Sequence, residues 1–168
     1  MQTKHNDLVA KHRVHELVTN AFSKRGIPNQ IINTQLPAIN AEIAKILQGI
    51  VDFTVELEAD VDSNSMDVFL SYGDSRRMIE LASGMEKMIS SLAIRVALTN
   101  ITSLPKTDLF IIDEGFGALD EVQVEACSRL LTSIKKYFKN ILLITHVDSL
   151  KDIADNILEI QRFEKDAK

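Results

Sequence analysis

The stretch Leu109-Phe110-Ile111-Ile112-Asp113-Glu114 runs from four apolar side chains directly into two carboxylates. An apolar run of that length between turn residues reads as a strand, and ligands of open α/β sheets bind at the C-terminal ends of strands. Successive side chains of a strand diverge, so Asp113 and Glu114 can hold different jobs. In phosphoryl transfer one acid of such a pair helps hold Mg2+ on the phosphates, and a second polar group orients the attacking water. An ordinary strand followed by an acidic turn leaves the same pattern. Ile141-Leu142-Leu143-Ile144-Thr145-His146 ends a second apolar run on a histidine, suited to donating to a phosphate or holding a water, and equally to a structural hydrogen bond.

In Ala82-Ser83-Gly84-Met85-Glu86, serine with glutamate three residues on is a capping box, and an apolar helix follows. The free N–H groups and positive end of that helix, with Gly84 allowing close backbone approach, form either an anion seat or a plain cap. Gly115-Phe116-Gly117-Ala118-Leu119-Asp120, directly after the paired acids, is a tight turn whose Asp120 caps the next helix. The phosphate-cradling pattern GxxxxGK[ST] does not occur, and none of the six glycines is followed by lysine. The chain therefore does not seat a nucleotide by itself in the P-loop manner.

Positioning these groups requires a particular order of elements. Residues 1 to 25 carry Leu8, Leu17, Val18, Ala21 and Phe22 at helical spacing, with Lys4, Lys11, Arg13, Lys24 and Arg25 against Asp7 and Glu16. This is a basic amphipathic helix, whose cations are either solvated or available to DNA or a partner. His12 and His15 share a face of it but lack a third ligand at metal spacing, and with His5 they read as surface residues. Gly26-Ile27-Pro28 ends the helix, and a second one follows through Ile50, with a kink or restart at Pro37. From Val51 the apolar period becomes two: Phe53, Val55 and Leu57, then Met66, Val68 and Leu70 after a turn, predict a hairpin, with a third strand at Met78 to Leu81. Seven acidic residues and no lysine or arginine lie between Leu47 and Ser75, spread as on a solvated sheet face rather than gathered for a metal.

The second half alternates helix and strand, the signal of parallel α/β packing. A helix is expected from Gly84 to Asn100, a strand at Leu109 to Ile112 covered on both faces, a helix from Glu121 to Phe138, a second buried strand at Ile141 to Thr145, a short helix, and a last strand near Asn156 to Ile160. With 168 residues, 45% apolar and 26% charged, the chain has the size and composition of one globular domain. Its formal charge of −5 excludes bulk attraction to nucleic acid or anionic lipid, leaving only local basic patches. No apolar run approaches the roughly 20 residues that span a bilayer, no leader pattern opens the chain, and the single Cys127 fits a reducing compartment. The expectation is a soluble intracellular protein without membrane contact.

Taken in order, the four motifs resemble the C-terminal half of an ABC-type ATPase head: ASGME resembles the signature motif, LFIIDE the Walker B strand, GALD the D-loop and THVD the switch-histidine loop. Ala21 to Pro28, Leu36-Pro37-Ala38-Ile39 and the stretch DEGFGALD are similar to the SbcC family of double-strand-break-repair ATPases, relatives of the structural-maintenance-of-chromosomes (SMC) proteins. The resemblance covers residues 8 to 160. It implies an α/β fold, the C-terminal lobe of a P-loop ATPase head, with a parallel sheet flanked by helices, an antiparallel hairpin, and a coiled-coil stump as the first helix. It also implies ATP and Mg2+ as cofactors. By match, Asp113 would reach Mg2+ through water, Glu114 would polarise the hydrolytic water and His146 would contact the γ-phosphate. Ser83, Gly84, Met85 and Glu86 would meet a nucleotide held by the opposite protomer, and Gly117, Ala118, Leu119 and Asp120 would line the dimer seam. The implied partners are an N-terminal half carrying the phosphate loop, a second copy of the head, an SbcD-type nuclease and DNA, in the cytoplasm or, in a eukaryote, the nucleus. Met85 replaces a glycine usual in the signature, and Ala82 replaces a leucine. Met85 raises the alternative of a weakly hydrolysing, DNA-tethering SMC-like head. A transporter nucleotide-binding domain fits less well, because its phosphate loop would precede the signature.

Overall fold

A computed structural model describes residues 2–23, 25–60, 65–113 and 121–160, with the side chains of 2–4 and 121 outside the described part. The chain divides into two compact units, Met1–Lys106 and Thr107–Lys168. The first contains α1 (Gln2–Ala21), α2 (Ile27–Leu47), β1 (Thr54–Asp60), β2 (Ser65–Tyr72), β3 (Ser75–Met78), a 3-10 turn (Ile79–Leu81) and α3 (Gly84–Ile101). The second contains β4 (Leu109–Asp113), α4 (Glu121–Ile134), β5 (Asn140–Ile144) and a 3-10 segment (Asp148–Ile153).

α1 follows its predicted span, yet Leu8, Val14 and Leu17 are all more than half exposed, so its apolar residues contribute no core within this chain. Between α1 and α2 the chain doubles so tightly that a Cβ on Gly26 would sit 2.1 Å from the Ala21 carbonyl oxygen, which only glycine avoids. Pro28 then occupies the first turn of α2, where a missing N–H is harmless. Contrary to the expected break, α2 runs unbroken through Pro37. Leu36, Ile39, Ile43, Ile46 and Leu47 are buried along it, and that packing outweighs the one helix hydrogen bond the proline removes.

The sheet order is β1-β2-β3, antiparallel throughout. Phe53, Val55 and Leu57 point inward with Leu70, while Glu56 and Glu58 point to solvent, as the alternation predicts. The third strand is displaced from the predicted Met78 to Leu81: it begins at Ser75. Gly73, with φ +54°, closes a two-residue turn that sets Tyr72 opposite Ser75, and the chain leaves the sheet at Ile79 in a 3-10 turn. On the free edge of β1, the Asn40 side chain accepts from the Leu57 N–H (2.9 Å) and donates to the Leu57 carbonyl (3.0 Å), tying α2 to the sheet. α3 buries Ile89, Leu92, Ala93, Val96 and Ala97, leaves Leu98 exposed, and is joined to α2 by Asn100 donating to Glu42 at 3.1 Å.

In the second unit β4 and β5 pair in parallel, with Leu109 opposite Asn140 and Asp113 opposite Ile144. Phe138, in the turn after α4, stacks on Phe110 at 4.6 Å, and Cys127, Leu130, Leu131, Ile134 and Leu150 are buried. The expected cover on both faces of these strands is absent among the described residues: Leu109, Ile111, Leu142 and Ile144 are each 44–53% exposed. α4 ends at Ile134 rather than Phe138. The strand expected at Asn156 to Ile160 does not form, because a strand needs a neighbour's N–H and C=O groups, and Ile157, Leu158 and Ile160 instead lie exposed. No described helix is long and apolar enough to cross a membrane.

Candidate functional site

Two groups of candidate residues stand on the two units. On the first, Ser83 caps α3 with both halves of the predicted box: the Ser83 hydroxyl accepts from the Glu86 N–H (3.3 Å), and the Glu86 carboxylate accepts from the Ser83 N–H (2.7 Å). Ser83 and Gly84 are exposed, and a Cβ on Gly84 would meet nothing within 4 Å, so the tip is open to a ligand. Met85 is half-buried. At a helix start the amides of Gly84 and Met85 have no intrahelical acceptor, and the positive end of the helix favours an anion in front of them.

Glu86 differs from the rest of the tip. It is 5% exposed, and its second oxygen accepts from the Tyr72 hydroxyl and from Arg77 Nη2 (2.5 Å). Burial pushes its carboxyl up, but the hydrogen bonds from Tyr72 and Ser83 and the charge of Arg77 outweigh this and hold it at about 2. Burial and the Glu86 carboxylate carry the Tyr72 hydroxyl up to about 12. Sequence reasoning misses Tyr72 and Arg77, since their contact with Glu86 arises from a hairpin register that spacing along the chain does not reveal. The two-residue turn at Gly73-Asp74 is the available clue.

On the second unit, Asp113 ends β4 and is exposed, and His146 lies two residues beyond Ile144, its neighbour in register, also exposed. The parallel pairing thus brings the acid and the histidine to the same C-terminal edge of the sheet. Glu114 and the turn Gly117-Ala118-Leu119-Asp120 lie outside the described residues, as does Lys24. Lys11, Arg13 and Arg25 are exposed, and the side chain of Lys4 is not described. His12 lies 3.6 Å from Glu16, and the His15 ring bonds the Lys11 carbonyl at 2.8 Å, so both imidazoles are occupied along their own helix. No three His, Cys, Asp or Glu among the described residues come together as a metal cage. Such a cage is not what Mg2+ on a nucleotide needs, since one or two carboxylates with phosphate oxygens and water complete its shell.

The fold matches solved SMC heads. An SMC ATPase chain studied for ATP-driven dimerisation and DNA-stimulated activation superposes with a TM-score of 0.66 at 20% identity, over 80% of this chain and 83% of that one. The Smc head domain with coiled coil and joint from Pyrococcus yayanosii gives 0.62 at 20% identity, over 92% of this chain and 30% of that one. These likenesses define the class by fold: that of an SMC head domain.

Within that class, the sequence is 32% identical over 123 residues to the SbcC component of the SbcCD nuclease of Clostridium acetobutylicum, covering 70% of this chain and 10% of that protein. The SbcC protein of Staphylococcus saprophyticus is 33% identical over 99 residues, covering 56% and 10%. An uncharacterised protein of Acanthamoeba polyphaga mimivirus is 31% identical over 152 residues, covering 82% and 11%. No protein-family model matches the chain. The chain spans about a tenth of the length of these relatives. Its sequence is thus related to that of SbcC proteins, and its fold is that of a fragment of an SMC head.

Proposed function

We propose that this chain is the C-terminal half of the ATPase in a DNA double-strand-break repair or recombination complex, where ATP-driven pairing of two heads regulates an SbcD-type nuclease. The observation that carries this reading is the parallel register that sets Asp113 and His146 at one edge of adjacent strands. A hard carboxylate oxygen and an imidazole at that edge fit a Mg-bound triphosphate, and the exposed, capped tip of α3 fits a phosphate oxygen. Mg2+, when bound, neutralises charge on the phosphates. Asp113 would hold it through water, Glu114 would accept a proton from the attacking water, and His146 would donate to the γ-phosphate. The Ser83 hydroxyl and the Gly84 amide would meet the nucleotide of a second head, with Gly117 to Asp120 beside the seam. The phosphate loop, missing from this sequence, must come from an N-terminal half. Lys4, Lys11, Arg13, Lys24 and Arg25 would face DNA or the nuclease, in the cytoplasm.

Mixing this chain with a polypeptide carrying that phosphate loop is expected to restore Mg-dependent ATP hydrolysis, and Glu114→Gln is expected to trap an ATP-bound dimer by sizing chromatography. Equal turnover with the variant removes Glu114 from its role. Met85, at a signature position where the family usually has glycine, supports a second reading, a tethering head with little turnover, since a side chain there would crowd a phosphate. Met85→Gly separates the two: under the second reading it raises turnover and pairing.

A further inference from the structure

Among the described residues Glu86 is the sole buried carboxylate, and its donors come from three elements: Ser83 before α3, Tyr72 at the end of β2 and Arg77 on β3. The hairpin register explains how they meet. Arg77 pairs with Leu70, and Leu70 and Tyr72 lie on one face of β2, so Tyr72 and Arg77 emerge side by side on the face that holds fully buried Leu70. The Tyr72 ring rests against Phe53 at 5.4 Å, and the Arg77 guanidinium lies 5.5 Å from its centre. Arg76, one residue earlier, faces the other way: it stacks on Phe69 at 3.9 Å and bridges Glu58 at 2.6 Å, as a surface ion pair does.

An ion pair to a buried carboxylate is a poor way to gain stability, since apolar side chains of like volume serve as well. Here it also leaves Arg77 Nε buried without a hydrogen-bond partner. What the arrangement supplies is direction. One Glu86 oxygen is fixed by two side chains of the hairpin, which leaves the other a single place from which to receive the Ser83 N–H.

We propose that Tyr72 and Arg77 are positioning residues for the tip of α3: acting through Glu86, they hold the first helical turn so that the Ser83 hydroxyl and the Gly84 and Met85 amides face outward as a preformed phosphate seat. The hairpin β2–β3 thereby sets whether the tip can engage a nucleotide. This rests on the reading of the tip given above, that it contacts the nucleotide of a second head.

The test has two arms. In the full chain alone, amide hydrogen exchange at Ser83 and Glu86 is compared between the parent, Tyr72→Phe, Arg77→Ala and Arg77→Lys. After assembly with the phosphate-loop polypeptide, ATP affinity of the unpaired head and ATP-driven pairing are measured separately. Arg77→Ala should raise exchange at the two amides about tenfold, as loss of one charge-assisted hydrogen bond does. It should also weaken pairing by about tenfold while leaving ATP affinity of the unpaired head within about twofold, because the tip serves the other head's nucleotide. Tyr72→Phe, which keeps the ring against Phe53, should move both readouts in the same direction and remains decisive if Arg77→Ala does not fold. Arg77→Lys should recover part of each effect, and Arg77→Ala should add nothing to Glu86→Ala. Unchanged exchange overturns the proposal, as does altered exchange with parental pairing or additive losses. A parent assembly that fails to pair with ATP instead overturns the reading of the tip, while exchange at Ser83 still decides whether Tyr72 and Arg77 hold it.

Discussion

Unfolding would return the Glu86 carboxyl from about 2 to its ordinary 4.5, so the unfolded chain takes up a proton that the folded chain refuses between those values. A lowered carboxylate contributes stability in full above its unfolded value and loses it as pH falls through its folded one. The contribution of Glu86 is therefore complete above about pH 4.5 and gone by about pH 2, at most about 3–4 kcal/mol given ~1.4 kcal/mol per tenfold change. Glu86→Gln should flatten the acid limb of the stability profile by one proton across that window, read from denaturant titrations at stepped pH. An acid limb identical to the parent's would show that Glu86 is not held as described.

Among the elements, α3 is the most legible from sequence, because Ser83 and Glu86 announce its start and Ile89, Ala93 and Val96 recur at helical spacing. It also shares the first unit's core with α2 and the sheet. Ile89→Ala, at a fully buried position, should cost about 2–5 kcal/mol in chemical denaturation. Leu98→Ala, at a position 45% exposed, should cost well under half as much. Equal losses would place Leu98 in the core as well. β3 is legible as a strand but not in its place, since apolar Met78 to Leu81 draws the reading onward while the turn at Gly73 fixes the pairing earlier. Pro37 misleads for a related reason: its local preference is real, and the buried residues on either side of it outweigh that preference. The segment at Asn156 to Ile160 has strand composition, but composition does not supply a neighbour.

At the level of the whole chain, the strands of the second unit read from sequence as covered on both faces, whereas Leu109, Ile111, Leu142 and Ile144 stand open on one. Apolar runs signal that a face will be covered without saying which polypeptide covers it. The same limit applies to the candidate site. Asp113 and His146 can be found because each ends an apolar run, while Tyr72 and Arg77 cannot, because their role depends on folding across three elements. The open face gives a test at this scale: Leu142→Glu should reduce self-association of the isolated chain in sedimentation while also abolishing restoration of ATPase by the phosphate-loop polypeptide. Restoration at parental levels would mean that this face is not where the proposed phosphate-loop polypeptide sits.

The amide of Asn40 has a bearing on how such a chain behaves on its own. An unaccompanied polypeptide with a greasy surface invites clumping, and the most damaging clumps are those that grow by adding strand upon strand. By taking up both main-chain groups of Leu57, one asparagine denies the border of β1 to a passing strand at its midpoint. A second copy cannot then continue the β1 ladder past Leu57, so this border of the sheet resists growth strand by strand.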